Sequence, residues 1–286
     1  MPKKNFKKSI WLFLPFAVTA AFFLWLYAGA LSPARSAVFN TLALPAAFIN
    51  GSPISVKDYE FRLNLAQNLN KGGTDGSEAG LDGTVFEKML SDKKYEQVAK
   101  NYGVRISKNE IENAYQQRQK QMGDEYGNSF EKTLKASGLD AQMFKKYILS
   151  HELLMDKLLL WYNSSPKLSQ KAFESATDLL NRAKAGEDMG MLARKYSQDE
   201  TGSATKGDMG FVDPLALLPE IGEAVSGMQT GEYKIIPSRA GIHIVFLEEK
   251  NGNLVHLRQM FIKSQGFESW LKNETNKISS IIIYRP

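Results

Sequence analysis

The sequence predicts an α+β chain, and three observations predict it. Ile10 to Leu31 is an apolar run of 22 residues without a charge. From about residue 45 to residue 163, apolar residues recur at helical spacing. From residue 240 to residue 263, two β-rich runs flank an Asn-Gly turn signal. The expected order is an N-terminal transmembrane helix, an all-α domain, and an antiparallel sheet with flanking helices.

The amino-terminal run is long enough to cross a hydrocarbon core of about 30 Å. Trp11, Trp25 and Tyr27 lie toward its ends, where amphipathic aromatics favour the interface. Lys3, Lys4, Lys7 and Lys8 precede it and Arg35 follows, which orients the amino terminus inward and the rest extracytoplasmic. Those four lysines supply most of the net charge of +5, leaving +1 for the remainder. The basicity is therefore topogenic, and no nucleic-acid partner is expected. A cleaved signal peptide is the alternative, with Ala28-Gly29-Ala30 offering small residues. The run exceeds the usual signal core of about 7–15 residues, so a retained single-pass anchor in the cell membrane is expected. The chain has no cysteine, which excludes thiol catalysis and disulfides. A length of 286 residues, 43% hydrophobic, suits two domains beyond the anchor.

Phe48-Ile-Asn-Gly-Ser-Pro-Ile54 reads as a strand pair about an Asn-Gly turn. Ser55 and Asp58 cap a helix carrying Tyr59, Leu63, Ala66 and Leu69. Lys71 to Gly83 is a glycine-bearing connection. A second helix carries Val85, Phe86, Met89, Leu90, Val98 and Tyr102 inward and stops at Gly103. Ser107 and Glu110 box the start of a third, ending near Gly123; Asn128 and Glu131 open a short fourth. The fifth runs from Ala141 to Tyr162. Asn163-Ser164-Ser165-Pro166 then marks a boundary. Helices are expected over Lys167–Ala185, Met189–Tyr196 and Leu218–Val225, with a loop over Ser203–Phe211 and a central strand over Ala240–Glu248. The expected domains are 1–36 (lysines and anchor), 45–163 (helical), 164–263 (sheet-bearing) and 264–286 (C-terminal helix and tail). The tail residues Ile281, Ile282 and Ile283 are expected to pack back onto the first domain or onto a partner.

Three spaced blocks occur between Ala193 and Glu249: YSQD followed by GSATKGDMGF, then LLPEIGEAV…TGE, then AGIHIVFLEE. In this order they resemble the parvulin-type (PpiC-type) peptidyl-prolyl cis-trans isomerases over about 60 residues. NGSPIS before a helix, followed by FEKMLSDKKYEQVAKNYGVRISKNEIENAY, is similar to the amino-terminal chaperone domain of extracytoplasmic foldases of the SurA and PrsA type. The resemblance implies a membrane-anchored foldase that isomerises Xaa-Pro bonds in unfolded or newly exported polypeptides, with no cofactor. It also implies that two copies of such helical domains can pair as a homodimer.

Carried onto this sequence, the parvulin pattern puts Asp199 beside the reacting carbonyl and His243 at the second of two core histidines. Met209, Leu217 and Ile221 fall where the proline pocket is lined, and Phe211 of the same block is counted among the substrate-binding residues. The first core histidine falls on Gln259, which hydrogen-bonds but does not titrate near neutrality. Ile221 stands where the family has an aromatic wall. A parvulin domain usually opens on a strand of the pattern x-R-x-H-I-L-h-K, and nothing of that kind precedes Lys167. A matching stretch, Val255-His-Leu-Arg-Gln-Met-Phe-Ile-Lys263, occurs after the predicted central strand. The missing first strand is therefore expected from the C-terminal side, as a circular permutation; the alternative is an extra edge strand.

Simpler roles stand beside these. Asp199 has the chemistry to cap the Ser203 loop, and His243 to be a satisfied core histidine. His151 lies on an apolar stripe, and His256 faces away from Gln259 by strand alternation. Asp208 and Gly210 read as turn-setting. No His/Asp/Glu trio has metal-ligand spacing. The alternative function is a non-catalytic holdase with a degenerate parvulin cleft, to which the Gln259 and Ile221 departures point.

Overall fold

The computed structural model describes residue 27 and residues 33–42, 44–70, 81–126 and 129–284. Apart from Tyr27, the expected membrane segment Ile10–Leu31 lies outside them, as do residues 71–80 of the expected connection and Asn128. Among the described residues, no helix is long and apolar enough to cross a membrane. Two compact units divide the chain. One comprises Met1–Val98, Tyr115–Lys145 and Thr275–Pro286; the other comprises Ala99–Ala114 and Lys146–Glu274.

The first unit opens with α1 (Pro33–Leu42), then the expected hairpin of β1 (Pro45–Ile49) and β2 (Ser52–Ser55). Ile49 pairs with Ser52, and Asn50 and Gly51 both take positive φ, 46° and 78°, as a type I′ turn requires. The tail folds back as β7 (Ser280–Ile282) and pairs with β1, giving the order β2-β1-β7. Ser55 Oγ accepts the Asp58 N–H and donates to its carboxylate, which starts α2 (Val56–Asn70). The next helix, α3 (Leu81–Asn101), begins inside the expected connection and ends before Gly103 at φ 73°. Its Phe86, Met89, Leu90 and Val98 are buried as expected, and Tyr59 meets Phe86 edge-on at 5.6 Å. Beyond α4 (Lys108–Tyr126) and α5 (Ser129–Ala136), Tyr115, Phe130 and Phe144 form a ring cluster with centroids 5.4–6.3 Å apart. Asp92, 6% exposed, is neutralised by Arg62 at 2.9 Å and by Lys88.

The expected fifth helix is three pieces. Asp140 caps α6 (Ala141–Phe144), a π-helical turn covers Lys145–Leu149, and α7 (Ser150–Asn163) follows. The π turn begins where the chain leaves the first unit. An extra residue per turn shifts the buried stripe around the helix.

In the second unit, Tyr102, Trp161 and Trp270 cluster at 4.6–5.6 Å, and Tyr162 and Phe267 extend the cluster. Lys157 of α7 donates to the Arg105 carbonyl and pairs with Glu110, whose carboxylate accepts the Ser107 N–H of the expected capping box. These contacts draw residues 99–114 into this unit. Helices α8 (Gln170–Lys184) and α9 (Met189–Tyr196) follow as expected. The expected Ser203–Phe211 loop needs correction: its start lies in a short helix, α10 (Glu200–Ala204), and its end in a strand, β3 (Asp208–Val212). A single 3₁₀ turn (Pro214–Ala216) leads to α11 (Pro219–Ser226), then to β4 (Tyr233–Pro237), β5 (Ile242–Asn251), β6 (Leu254–Ile262) and α12 (Phe267–Asn276).

All pairings in the four-stranded sheet are antiparallel, in the order β3-β6-β5-β4. The β5–β6 turn is Gly252-Asn253, with Asn251 paired to Leu254 and Gly252 at φ 59°. That makes Gly the first residue of a type II′ turn, one position later than the Asn-Gly signal implies. Strand β6 is paired on both sides, so the extra-edge-strand alternative fails. One sheet face buries Ile242, Ile244, Met260 and Ile262 under α8 and α9; the other buries Val245, Leu247, Val255 and Leu257 with α11.

Candidate active site

The site grows from the α11 face of the sheet. Side chains alternate along a strand, so His243 shares its face with Val245 and Leu247, and Gln259 with Val255 and Leu257. His243 pairs with Phe261 and Val245 with Gln259, which makes His243 and Gln259 diagonal neighbours. The His243 and Phe261 rings lie 5.0 Å apart. Helix α11 lays Ile221 and Val225 onto the same apolar cluster, and half-buried Met209, Leu217 and Leu218 pack against it. Gly222 makes that fit: the Pro214 carbonyl oxygen lies 2.3 Å from where its Cβ would stand.

Asp199 comes from the turn before α10. That turn is stitched to the end of β6: Gln198 N–H donates to the Phe261 carbonyl (2.8 Å), Phe261 N–H to Ser197 Oγ (3.1 Å), and Lys263 N–H to Gln198 Oε1 (2.7 Å). Asp199 sits at the N-cap of α10, but its side chain makes no capping hydrogen bond. The carboxylate is not consumed by the structural role its position offers. It lies close enough to His243 to favour the charged ring.

Burial dominates the electrostatics of His243, which is 4% exposed. It pushes the imidazole pKa down to about 4, against the smaller upward pulls of Gln259 and Asp199, so the ring is neutral at physiological pH. Gln259 is a near neighbour without a formed bond: His243 Nδ1 and Gln259 Oε1 are both buried and unpartnered. The other ring nitrogen, Nε2, is 2.9 Å from Ser238 Oγ. That hydroxyl already accepts the Ala240 N–H (3.0 Å) and Gly241 N–H (3.3 Å), which fill its lone pairs. Its proton has two acceptors in reach, the Gly241 carbonyl at 3.4 Å and the closer Nε2 at 2.9 Å; donation to the closer one leaves the ring's own hydrogen on Nδ1.

The structure thus puts His243 and Gln259 on the sheet face that carries Ile221, with Met209 and Leu217 packed there, and Asp199 within electrostatic reach of His243. It does not bring Phe211 to them. Phe211 is 44% exposed and leans on the His256 ring at 5.1 Å. It pairs with His256, whose strand neighbours Val255 and Leu257 are buried on the site's face, so both rings point the other way. A β-bulge between Asp208 and Phe211 decouples Phe211 from Met209. Asp208 sets the turn as expected, accepting the Gly210 N–H at 2.9 Å and, at 2.8 Å, bonding His256 Nε2. Those bonds hold its carboxyl below the usual range. Ser238 was not legible as a site residue, since a lone serine in a turn has no spacing signature. Among the described residues no His, Asp and Glu group has the arrangement of a metal site. A cleft of about 650 Å³ lies elsewhere, lined by Tyr162, Lys167, Gln170, Lys171 and Lys263 among others, and none of the expected site residues borders it.

Comparison with known proteins places two family models on the chain. Residues 158–249 match the model of the PPIC-type PPIASE domain (rotamase), and residues 3–159 match that of the SurA-like N-terminal domain. Foldase protein PrsA of Halalkalibacterium halodurans is 32% identical over 87 residues, 30% of this chain and 26% of that protein. Chaperone SurA of Pseudomonas fluorescens is 31% identical over 115 residues, 40% of this chain and 25% of that protein. The match therefore spans about a quarter of these two relatives. Foldase protein PrsA of Geobacillus kaustophilus is 24% identical over 231 residues, 75% of this chain and 77% of that protein.

Proposed function

The chain belongs to the family defined by the SurA-like N-terminal domain, with a PPIC-type PPIase domain behind it, and on that premise we propose that it is an extracytoplasmic foldase isomerising Xaa-Pro bonds in exported polypeptides. The observation that supports this is a buried, neutral imidazole on the sheet face that carries Ile221, Met209 and Leu217, with the Asp199 carboxylate in electrostatic reach and making no capping bond. Rotation about an Xaa-Pro bond faces a barrier of about 20 kcal/mol and takes tens of seconds unaided. Lowering it needs no nucleophile. Met209, Leu217 and Ile221 grip the pyrrolidine ring, and the dry surface removes the water that stabilises the planar, charge-separated amide. Asp199 stands beside the carbonyl as it turns. His243 and Gln259 supply polar groups that favour the twisted amide without exchanging a proton with it.

In this proposal β6 takes the place of the family's first strand, since it is internal to the sheet although it follows β5 in sequence. The helical region up to residue 163 holds unfolded clients, and Ile10–Leu31 tethers the chain to the membrane with both domains outside. A protease-coupled assay of a Xaa-Pro peptide with the full chain and with Asp199→Ala tests the reading. Turnover that falls in the variant supports it.

Gln259, in a histidine's place and without a formed bond to His243, favours a second reading as a holdase. The wild-type chain would then suppress aggregation of an unfolded client and leave the proline-bond rate unchanged.

A further inference from the structure

The β4–β5 connection, Ser238-Arg239-Ala240-Gly241, carries the hydroxyl that orients His243. Ser238 is fully buried, and its N–H donates to the Gly241 carbonyl at 2.8 Å, closing the loop on itself. The position of the imidazole therefore depends on what holds this loop against the rest of the unit. Two helices do. Asn163, the last residue of α7 and 2% exposed, donates through Nδ2 to the Ser238 carbonyl (2.8 Å) and the Arg239 carbonyl (3.3 Å). Asp156 stands seven residues earlier, so two helical turns put it on the same side of α7. Its carboxylate takes the Arg239 guanidinium at 2.6 Å. From the other side, Glu220 of α11 accepts the Arg239 N–H at 3.4 Å, one residue before Ile221.

We propose that Asn163 and Arg239 are positioning residues for the isomerisation: by clamping this loop to α7 they hold Ser238 where its hydroxyl fixes the His243 ring. The inference rests on the isomerase function proposed above. Two observations set it apart from simple stabilisation. The Asp156 and Arg239 side chains are 41% and 40% exposed, and an ion pair so wet contributes little to folding. Asn163 leaves its own Oδ1 buried without a partner, so its amide is aimed at the two loop carbonyls despite that cost. The helix preceding the expected domain boundary is then part of the catalytic apparatus.

The test uses the full 286-residue chain with ¹⁵N-labelled histidine, of which there are three. Long-range ring ¹⁵N–¹H spectra report the His243 tautomer, and kcat and KM are measured on a Xaa-Pro peptide alongside the unfolding midpoint. Wild type shows the Nδ1–H tautomer. Asp156→Asn and Arg239→Met move the His243 signals toward a tautomer mixture and lower kcat roughly ten-fold, as misplacement of a catalytic group does, with KM and midpoint unchanged. Ser238→Thr keeps the wild-type signals; Ser238→Ala loses them. Asn163→Ala is expected to act like Arg239→Met, and if it fails to fold, the exposed Asp156–Arg239 pair still decides. Unchanged His243 signals in both Asp156→Asn and Arg239→Met overturn the clamp, whatever the turnover. Shifted signals in a chain with no turnover at all uphold the clamp and remove the isomerase reading instead.

Discussion

Gly222→Ala sets two opposing effects against each other at the floor of the proposed slot. In the interior of a helix, replacing Gly by Ala gains about 1 kcal/mol from backbone entropy. At Gly222, however, the new methyl would stand 2.3 Å from the Pro214 carbonyl oxygen and 3.2 Å from its carbon. Those are backbone atoms of the turn that carries Leu217, so no side chain can swing aside; the turn or α11 must move by about 1 Å. Overpacking of this kind costs about 1–3 kcal/mol. The clash wins, with a net loss of about 1 kcal/mol and a Tm lower by about 3 °C for a unit of this size. Gly83 of α3 supplies the contrast, because its Cβ would meet nothing within 4 Å; Gly83→Ala is expected to stabilise by up to about 1 kcal/mol. Urea titration followed by circular dichroism reads the stabilities, and the proline-bond assay reads the slot. Turnover should fall in Gly222→Ala, since Ile221 and Leu217 separate, and hold in Gly83→Ala. A Gly222→Ala chain as stable and active as Gly83→Ala would refute the packing described for this face.

The depressed His243 pKa makes stability depend on pH. The unfolded chain takes up the proton near 6.5 and the folded chain near 4, so between these values the unfolded state binds more protons. Stability is full above about pH 6.5 and falls by about 3 kcal/mol as pH drops to 4; His243→Gln should flatten that part of the curve, and identical slopes would count against the burial argument. Asp92→Ala strips a buried carboxylate from Arg62 and Lys88 and should cost about 3 kcal/mol, whereas Lys93→Ala, at an exposed pair with Glu96, should cost under about 0.5 kcal/mol; equal losses by urea titration would contradict this. Trp270→Ala opens the cluster with Tyr102, Trp161 and Tyr162 and should cost about 3 kcal/mol with loss of the near-ultraviolet dichroism, an effect absent if the rings merely touch.

Much of the fold was legible because local chemistry decides it. Asn50-Gly51, Ser55 with Asp58, Ser107 with Glu110 and the Gly103 stop act over three or four residues, and all form as expected. What escaped depends on distant partners. Residues 99–114 join the second unit through Tyr102, whose partners Trp161 and Trp270 lie far along the chain. Strand β3 is short, glycine-bearing and bulged, so it lacks the alternation that marks a strand. At the candidate site, the parvulin pattern put His243 and Gln259 in one region, and strand alternation turned His256 away from Gln259. Phe211 was misplaced because a bulge changes which face the following residue takes. Ser238 acts through its hydroxyl on His243 and Asn163 through its amide on two loop carbonyls, and such roles appear only once the chain is folded.

Exchange NMR spectroscopy of a proline-containing peptide mixed with catalytic amounts of the full chain measures the cis–trans rate directly, without a coupling protease. A rate well above the peptide's own, lost in Asp199→Ala and in peptides whose proline is replaced by alanine, is what the arrangement of Asp199, His243, Met209, Leu217 and Ile221 predicts. An exchange rate equal to that of the free peptide would contradict it.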